Sequence, residues 1–178
     1  MVKVLATIVV VLIVAVLVFA ATRPDTFRVQ RSVRINAPPQ EIFGLINDLH
    51  RFNTWNPFTQ KDPHVKGVYS GPSDGTGAAY AFSGNKHVGE GSVEIAASSP
   101  SSKVAMKLDM IRPIEAHNIV AFTLEPNGHS TKVTWAMHGP SPYLAKLMSV
   151  FVSMDNMIGK EFEAGLASLK TAAEAKKG

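Results

Sequence analysis

Not one of the 178 residues is cysteine. This excludes a disulfide framework, a thiolate nucleophile and any Cys-ligated zinc or iron–sulfur site. It leaves the compartment open, because a cysteine-free domain is stable on either side of a membrane. The six histidines, His50, His64, His87, His117, His129 and His138, are scattered. None falls in an HxH, HxxxH or HExxH spacing, so no metal site and no cofactor are expected. No Gly-x-Ser-x-Gly stretch supports Ser–His–Asp chemistry. The glycine-rich run 71–77 lacks the Lys-Ser/Thr of a phosphate loop. The formal charge of +4 fits a solvated surface rather than a basic footprint. Lys170, Lys176 and Lys177 suit solubility or a membrane surface, and no nucleic-acid partner is expected.

Charge is missing altogether from residues 4–21, where Thr7 is the one polar side chain. The run is Val, Leu, Ile and Ala without Pro or Gly. Its length is near the lower end of what spans a hydrocarbon core, and it has no polar face with which to sit in a soluble core. Residues 1–23 are therefore read as an N-terminal transmembrane anchor, making the chain a single-pass membrane protein. A second reading is a cleaved signal peptide that frees a secreted or periplasmic domain. Val18-Phe19-Ala20 offers suitable residues for cleavage, although the apolar run is longer than a usual signal core. Arg23, Arg28, Arg31 and Arg34 would place the domain in the cytoplasm by the positive-inside rule. The last three fall in a strand, which leaves the side of the membrane open.

From residue 27 the texture is that of one α+β domain, residues 27–173. Phe27, Val29, Val33 and Ile35 alternate with polar residues, predicting a half-buried strand over 27–35. Arg31 interrupts the apolar face and is expected to snorkel to solvent near the sheet end. Pro38 and Pro39 stop the strand and open a helix that carries Ile42, Leu45, Ile46 and Leu49 on one face. A second short helix covers Leu49, Phe52 and Trp55. Short alternating runs separated by turn residues follow, predicting six antiparallel strands. Their apolar faces include Ala78, Tyr80 and Phe82; Val104, Met106, Leu108 and Met110; Val120, Phe122 and Leu124; and Thr131, Val133, Trp135 and Met137. Residues 143–175 contain no proline. The recurrence of Leu147, Phe151, Met154, Ile158, Phe162, Leu166 and Leu169 predicts one long amphipathic helix. Gly159 and Gly165 within it suggest close helix–sheet packing.

Strand, two short helices, six strands and a long C-terminal helix is the helix-grip order. The opening FRVQRSVRINAPPQEIFGLINDLHRFNTWNPF resembles the polyketide cyclase/dehydrase branch of the SRPBCC (START-like) superfamily, whose members often carry such an N-terminal segment. SGNKHVGEGSVEI, STKVTWAMHGP and MDNMIGKEFEAGLASLK resemble it too. The resemblance implies a curved antiparallel sheet wrapped around the C-terminal helix. It implies no particular catalytic residue, because this scaffold hosts lipid carriers, receptors and cyclases alike.

A curved sheet facing one helix does not close its core, and the gap is usually a pocket. The inward faces are soft and aromatic, suited to irregular apolar ligands. The ligand-binding candidates are Tyr80, Phe82, Met106, Met110, Phe122, Trp135, Met137, Phe151 and Met154, with Trp55 as a lid on the short helices. Glu90, between Gly89 and Gly91, is the candidate acid–base group if the glycines turn it inward; strict alternation puts it on the solvent face with Glu94. Asp155 is read as a helix-surface carboxylate. Three functions are compatible with these residues: a membrane-tethered binder of a small hydrophobic or lipid-like molecule, a cyclase/dehydrase-like enzyme on a hydrophobic substrate, or a structural domain with its cavity packed shut.

Overall fold

Alternation at the start of the domain becomes strand β1 (Thr26–Ile35), which buries Val29 and Ile35. The computed structural model describes residues 2–175. Lys176 and Lys177 of the basic tail lie outside the described residues. Ahead of β1, helix α1 (Val2–Ala21) is exposed around almost its whole circumference, with Ala20 its one buried residue. After β1, α2 (Pro39–Ile46) starts with proline in its first turn and Glu41 near the positive end of its dipole. Its apolar side, Ile42, Leu45 and Ile46, is buried. Helix α3 (Leu49–Phe52) is capped by Asp48, whose carboxylate accepts from the backbone N–H of His50 at 2.8 Å and of Arg51 at 3.3 Å.

The strands that follow are β2 (Lys66–Ser70), β3 (Ala79–Ser83), β4 (Glu90–Ser99), β5 (Lys103–Arg112), β6 (Ala116–Asn127) and β7 (Ser130–Pro140). Together with β1 they form a seven-stranded antiparallel sheet in the order β1-β7-β6-β5-β4-β3-β2. The chain crosses from one edge to the other through α2 and α3, and the remaining neighbours are joined by short turns. Register shifts in β4 between Glu90 and Gly91 and between Ile95 and Ala97 help to curve the sheet. Gly89 precedes the first shift at φ +77°, a conformation that side chains with a Cβ rarely adopt.

The register stacks the inner face in rows. Val104, Phe122, Trp135 and Arg31 stand side by side. Next come Ile95, Met106, Val120, Met137 and Val29. Tyr80, Val93, Leu108 and Asn118 form the third row, and Phe82, Gly91, Met110 and Ala116 the last. The last row is at the end of the sheet where β1 begins and β7 finishes, so the links to α1 and to the C-terminal helices leave from that end.

Residues 143–175 do not form one helix. They form α4 (Tyr143–Phe151) and α5 (Met154–Glu174), parted at Val152 and Ser153. The Ser153 hydroxyl caps α5 by accepting from the Asn156 N–H at 3.2 Å, and Asp155 occupies the first turn. Apolar recurrence runs across the break and conceals it. As a result the stripe begins at Ile158, while Phe151 is 73% exposed. Only α5 grips the sheet, burying Phe162, Leu166, Leu169 and Ala173. A Cβ at Gly165 would lie 2.5 Å from the Trp135 ring and 2.8 Å from Pro57 Cδ, so the helix comes close where glycine lets it.

Arg31 also departs from expectation. It does not snorkel. Its guanidinium donates to Asp155 at 2.9 Å and to Glu163 at 2.7 Å, clamping β1 to α5 across the glycine at 159. The Arg31 hydrogen bonds hold the Asp155 carboxyl below the usual carboxylate range.

Candidate functional site

Sheet and grip helix enclose a cavity of about 1240 Å³. Its floor is the second to fourth rows of the sheet: Met106, Val120 and Met137, then Tyr80, Val93, Leu108 and Asn118, then Phe82 and Met110. One wall is α5, with Met154, Ile158 and Phe162. The other is α3 and the segment after it, with Leu49, Phe52 and Phe58. The alternation that made these strands half-buried also aims these side chains inward, since successive residues take opposite faces.

Seven of the ten proposed ligand-contact positions line this space: Tyr80, Phe82, Met106, Met110, Trp135, Met137 and Met154. Three do not. Trp55 is buried rather than poised as a lid; its indole N–H donates to the Leu45 carbonyl at 2.9 Å and its ring packs edge-on against Phe52, Phe122 and Trp135. Phe122 is sealed in the same aromatic layer, one row deeper than the cavity floor. Phe151 points to the outside from α4. Phe27 and Leu108 were legible from alternation alone. Phe58 was not, because it follows Pro57 in an irregular segment with no period to read.

Trp135 holds the junction between core and cavity. It stacks on Phe162 with centroids 4.2 Å apart and rings inclined by 11°. Its indole nitrogen has no hydrogen-bond partner among the described residues.

Polar groups on the cavity floor are few and neutral. Asn118 is almost buried, with its amide against Gly139. Burial, and then the neighbouring Tyr69, push the Tyr80 hydroxyl above its usual range, so it stays a neutral phenol. Glu90 does not turn into the cavity. It pairs with Arg112 beside the β5–β6 turn, on the side that strict alternation favours. No group of three or more His, Asp or Glu side chains able to hold a metal ion occurs among the described residues.

Charge gathers at the mouth instead, at the last-row end. Arg23, Lys86 and Glu115 line it; elsewhere in the lining the charges are paired, Lys61 with Glu161 at 2.6 Å and Asp155 with Arg31 at 2.9 Å, while His117 alternates with the inward residues and turns to the outer face of the sheet. His117 Nδ1 lies 2.6 Å from Asp109 Oδ1, and Nε2 lies 3.6 Å from Glu115 Oε1. The Asp109 hydrogen bond raises the imidazole pKa above the usual ~6.5. A raised folded-state value means that this pair supports the fold fully below pH ~6.5 and ceases to as pH rises through the folded value. NMR titration of the histidine ring is expected to show His117 protonated at a higher pH than His117 in Asp109→Asn. Equal values in the two proteins would show that the pair does not form.

Residues 26–174 match the family described as polyketide cyclase / dehydrase and lipid transport. No curated protein shows a significant match to the chain. Among solved structures, a protein from Thermobifida fusca is 21% identical, with 84% of this chain and 95% of that one covered at a TM-score of 0.61. The Aha1 dimer from Colwellia psychrerythraea is 20% identical, covering 85% and 99% at 0.58. Protein CV1439 from Chromobacterium violaceum is 13% identical, covering 85% and 99% at 0.58. At such identities the likeness is one of fold. The family match takes in every element from β1 through α5 and stops short of α1, and on that extent the chain belongs to the polyketide cyclase/dehydrase and lipid transport family of the SRPBCC superfamily.

Proposed function

We propose that this protein is a membrane-tethered binder of a hydrophobic or lipid-like molecule. The observation that carries the reading is the cavity: large, and floored by methionine, aromatic and aliphatic side chains, with the charged residues of its lining around that floor rather than on it. Its volume exceeds the roughly 300–1,000 Å³ of typical small-molecule sites, which suits a long or bulky apolar ligand. A floor without carboxylates favours apolar contact over ionic recognition. The same volume speaks against a structural domain with its core packed shut.

Tethering is assigned to α1, a helix long and apolar enough to cross a membrane. A signal sequence passes the same test. Retention is favoured by the hydroxyl of Tyr143, which donates to the Leu17 carbonyl at 3.0 Å. Cleavage after Ala20 would discard that partner. An enzymatic reading of the cyclase/dehydrase type finds no histidine or carboxylate on the cavity floor, because the His117–Asp109 pair alternates with the inward residues and lies on the outer face of the sheet.

The test fills the cavity. Leu108→Trp combined with Met110→Trp places two indoles in the third and fourth rows. In lipid nanodiscs, binding of a dansylated fatty acid is expected to weaken by at least about tenfold, equivalent to ~1.4 kcal/mol. The urea midpoint should hardly move, because the added volume enters open space. Unchanged binding would remove the cavity as the site. His117→Gln should leave probe binding intact; if it abolished turnover of some substrate while the probe still bound, the enzymatic reading would prevail.

A further inference from the structure

Helix α4 is built inside out. Its one buried residue is a lysine: Lys146, 8% exposed, whose ammonium donates to Asp25 Oδ1 at 2.5 Å. Leu144 and Phe151, spaced at i and i+7 and therefore on one face, are turned outward at 61% and 73%, and Met148 between them is exposed where α4 borders the cavity. A water-exposed helix has the reverse arrangement. Val152 extends the same apolar surface past the helix end, and Met157 is exposed at the cavity's edge.

The position of α4 identifies the medium that covers it. It packs beside α1, and Tyr143 reaches the carbonyl of Leu17. Leu17 lies one turn inside the apolar run, about 6 Å above its end at Ala21. Whatever surrounds α1 there also surrounds the outer face of α4. A depth of 5–10 Å is about where amphipathic helices lie in a membrane interface, and tyrosine is favoured at that level. The β5–β6 turn reaches toward the same side. Ile114 on it and Ile111 at the end of β5 are exposed, at the sheet end from which α1 and α4 both leave. Pro113 and Ile114 of that turn and Ala145 and Met148 of α4 all line the cavity, so this end of it lies between the two, with Arg23 and Lys86 in the same lining as cations able to meet lipid phosphates.

We infer that the mouth of the cavity is seated in the bilayer surface, with α4 and the β5–β6 turn sunk among the outermost acyl segments. The ligand class is then a membrane-resident lipid that passes from the bilayer into the cavity without crossing water. This rests on the tethered reading above and adds to it the orientation of the domain and the route of entry. The occupant of the apolar rim is lipid rather than a second copy of the chain, because the α4 side of the rim adjoins the apolar circumference of α1.

The absence of native cysteine makes a direct test available. Leu12→Cys, Leu144→Cys, Ile114→Cys and His129→Cys, each in the full chain, are labelled with a nitrobenzoxadiazole fluorophore and reconstituted in phosphatidylcholine vesicles. Leu12 reports on α1, and His129 lies on the β6–β7 turn at the opposite end of the sheet. Probes at 12, 144 and 114 are expected to lose most of their emission to nitroxide-labelled lipid and to resist aqueous iodide; the probe at 129 should do the opposite. If 12 is quenched by lipid but 144 and 114 are open to iodide, the tether stands and the seated mouth is overturned. If 144 is shielded from both quenchers, a protein partner such as a second copy covers the rim, which overturns it as well. If 12 itself is not quenched by lipid, the tethered reading fails and takes the inference with it.

Discussion

Phe162→Asp is expected to unfold the domain. Phe162 is 1% exposed and lies against the Trp135 ring at the centre of the contact between α5 and the sheet. Aspartate there would leave a carboxylate in an apolar layer with no cation to pair it. Burial of an unpaired charge belongs to the short list of changes costing more than about 4 kcal/mol, and a domain commonly has only about 5–15 kcal/mol to lose. Urea denaturation of the detergent-solubilised protein, followed by circular dichroism, would show no cooperative transition. The exposed control Lys160→Ala should stay within about 0.5 kcal/mol of the parent. Phe151→Asp, which a single continuous stripe would make equally damaging, should also keep its transition, because Phe151 faces outward from α4. A cooperative transition in Phe162→Asp at the parent midpoint would mean that α5 does not grip the sheet.

Trp135→Ala should be the next most costly change. It removes the ring that stacks on Phe162 and touches Trp55 and Phe122, for which large-to-small aromatic substitutions cost about 3–5 kcal/mol. One effect works against that cost. The indole N–H has no acceptor among the described residues, and a buried unsatisfied donor is worth about 1–3 kcal/mol of destabilisation in the parent. The net loss is therefore placed near the lower end, about 3 kcal/mol. Trp135→Phe separates the two contributions. It keeps an aromatic ring against Phe162 and deletes the orphaned donor, so its cost should be within about 1 kcal/mol. Denaturant midpoints of the two variants decide the matter. If Phe were as damaging as Ala at this position, the indole nitrogen would have to be satisfied in solution, by water or by ligand.

The seven-stranded sheet, its inner faces and the apolar first helix were legible because each depends on a local period. Side chains two apart in a strand share a face whatever the strand pairs with, so Tyr80 with Phe82, and Met106 with Met110, could be assigned inward before any partner was known. Asp155 was legible only as a helix-surface carboxylate, and Glu163 carried no signal of its own. Their role as the two partners of Arg31 depends on contacts spanning 124 and 132 residues of chain, which no local pattern records.

The break between α4 and α5 shows the same limit from the other side. Apolar residues continue at three- and four-residue spacing across Val152 and Ser153, and period alone does not distinguish one helix from two. The signal that was present is weaker and chemical: Ser153 followed by Asp155 and Asn156 is a helix start. Composition and period therefore determined that this chain has an apolar helix, a curved antiparallel sheet and a soft, aromatic interior. Tertiary structure decided which of those aromatics are core and which are cavity wall, because Phe122 and Trp135 are cross-strand neighbours and only the placement of α5 leaves one beneath the cavity and the other at its edge. It also decided that the cavity mouth lies at the same end of the sheet as α1. That follows from the register of seven strands paired across the whole domain, which is a property of the assembled sheet and of no single segment.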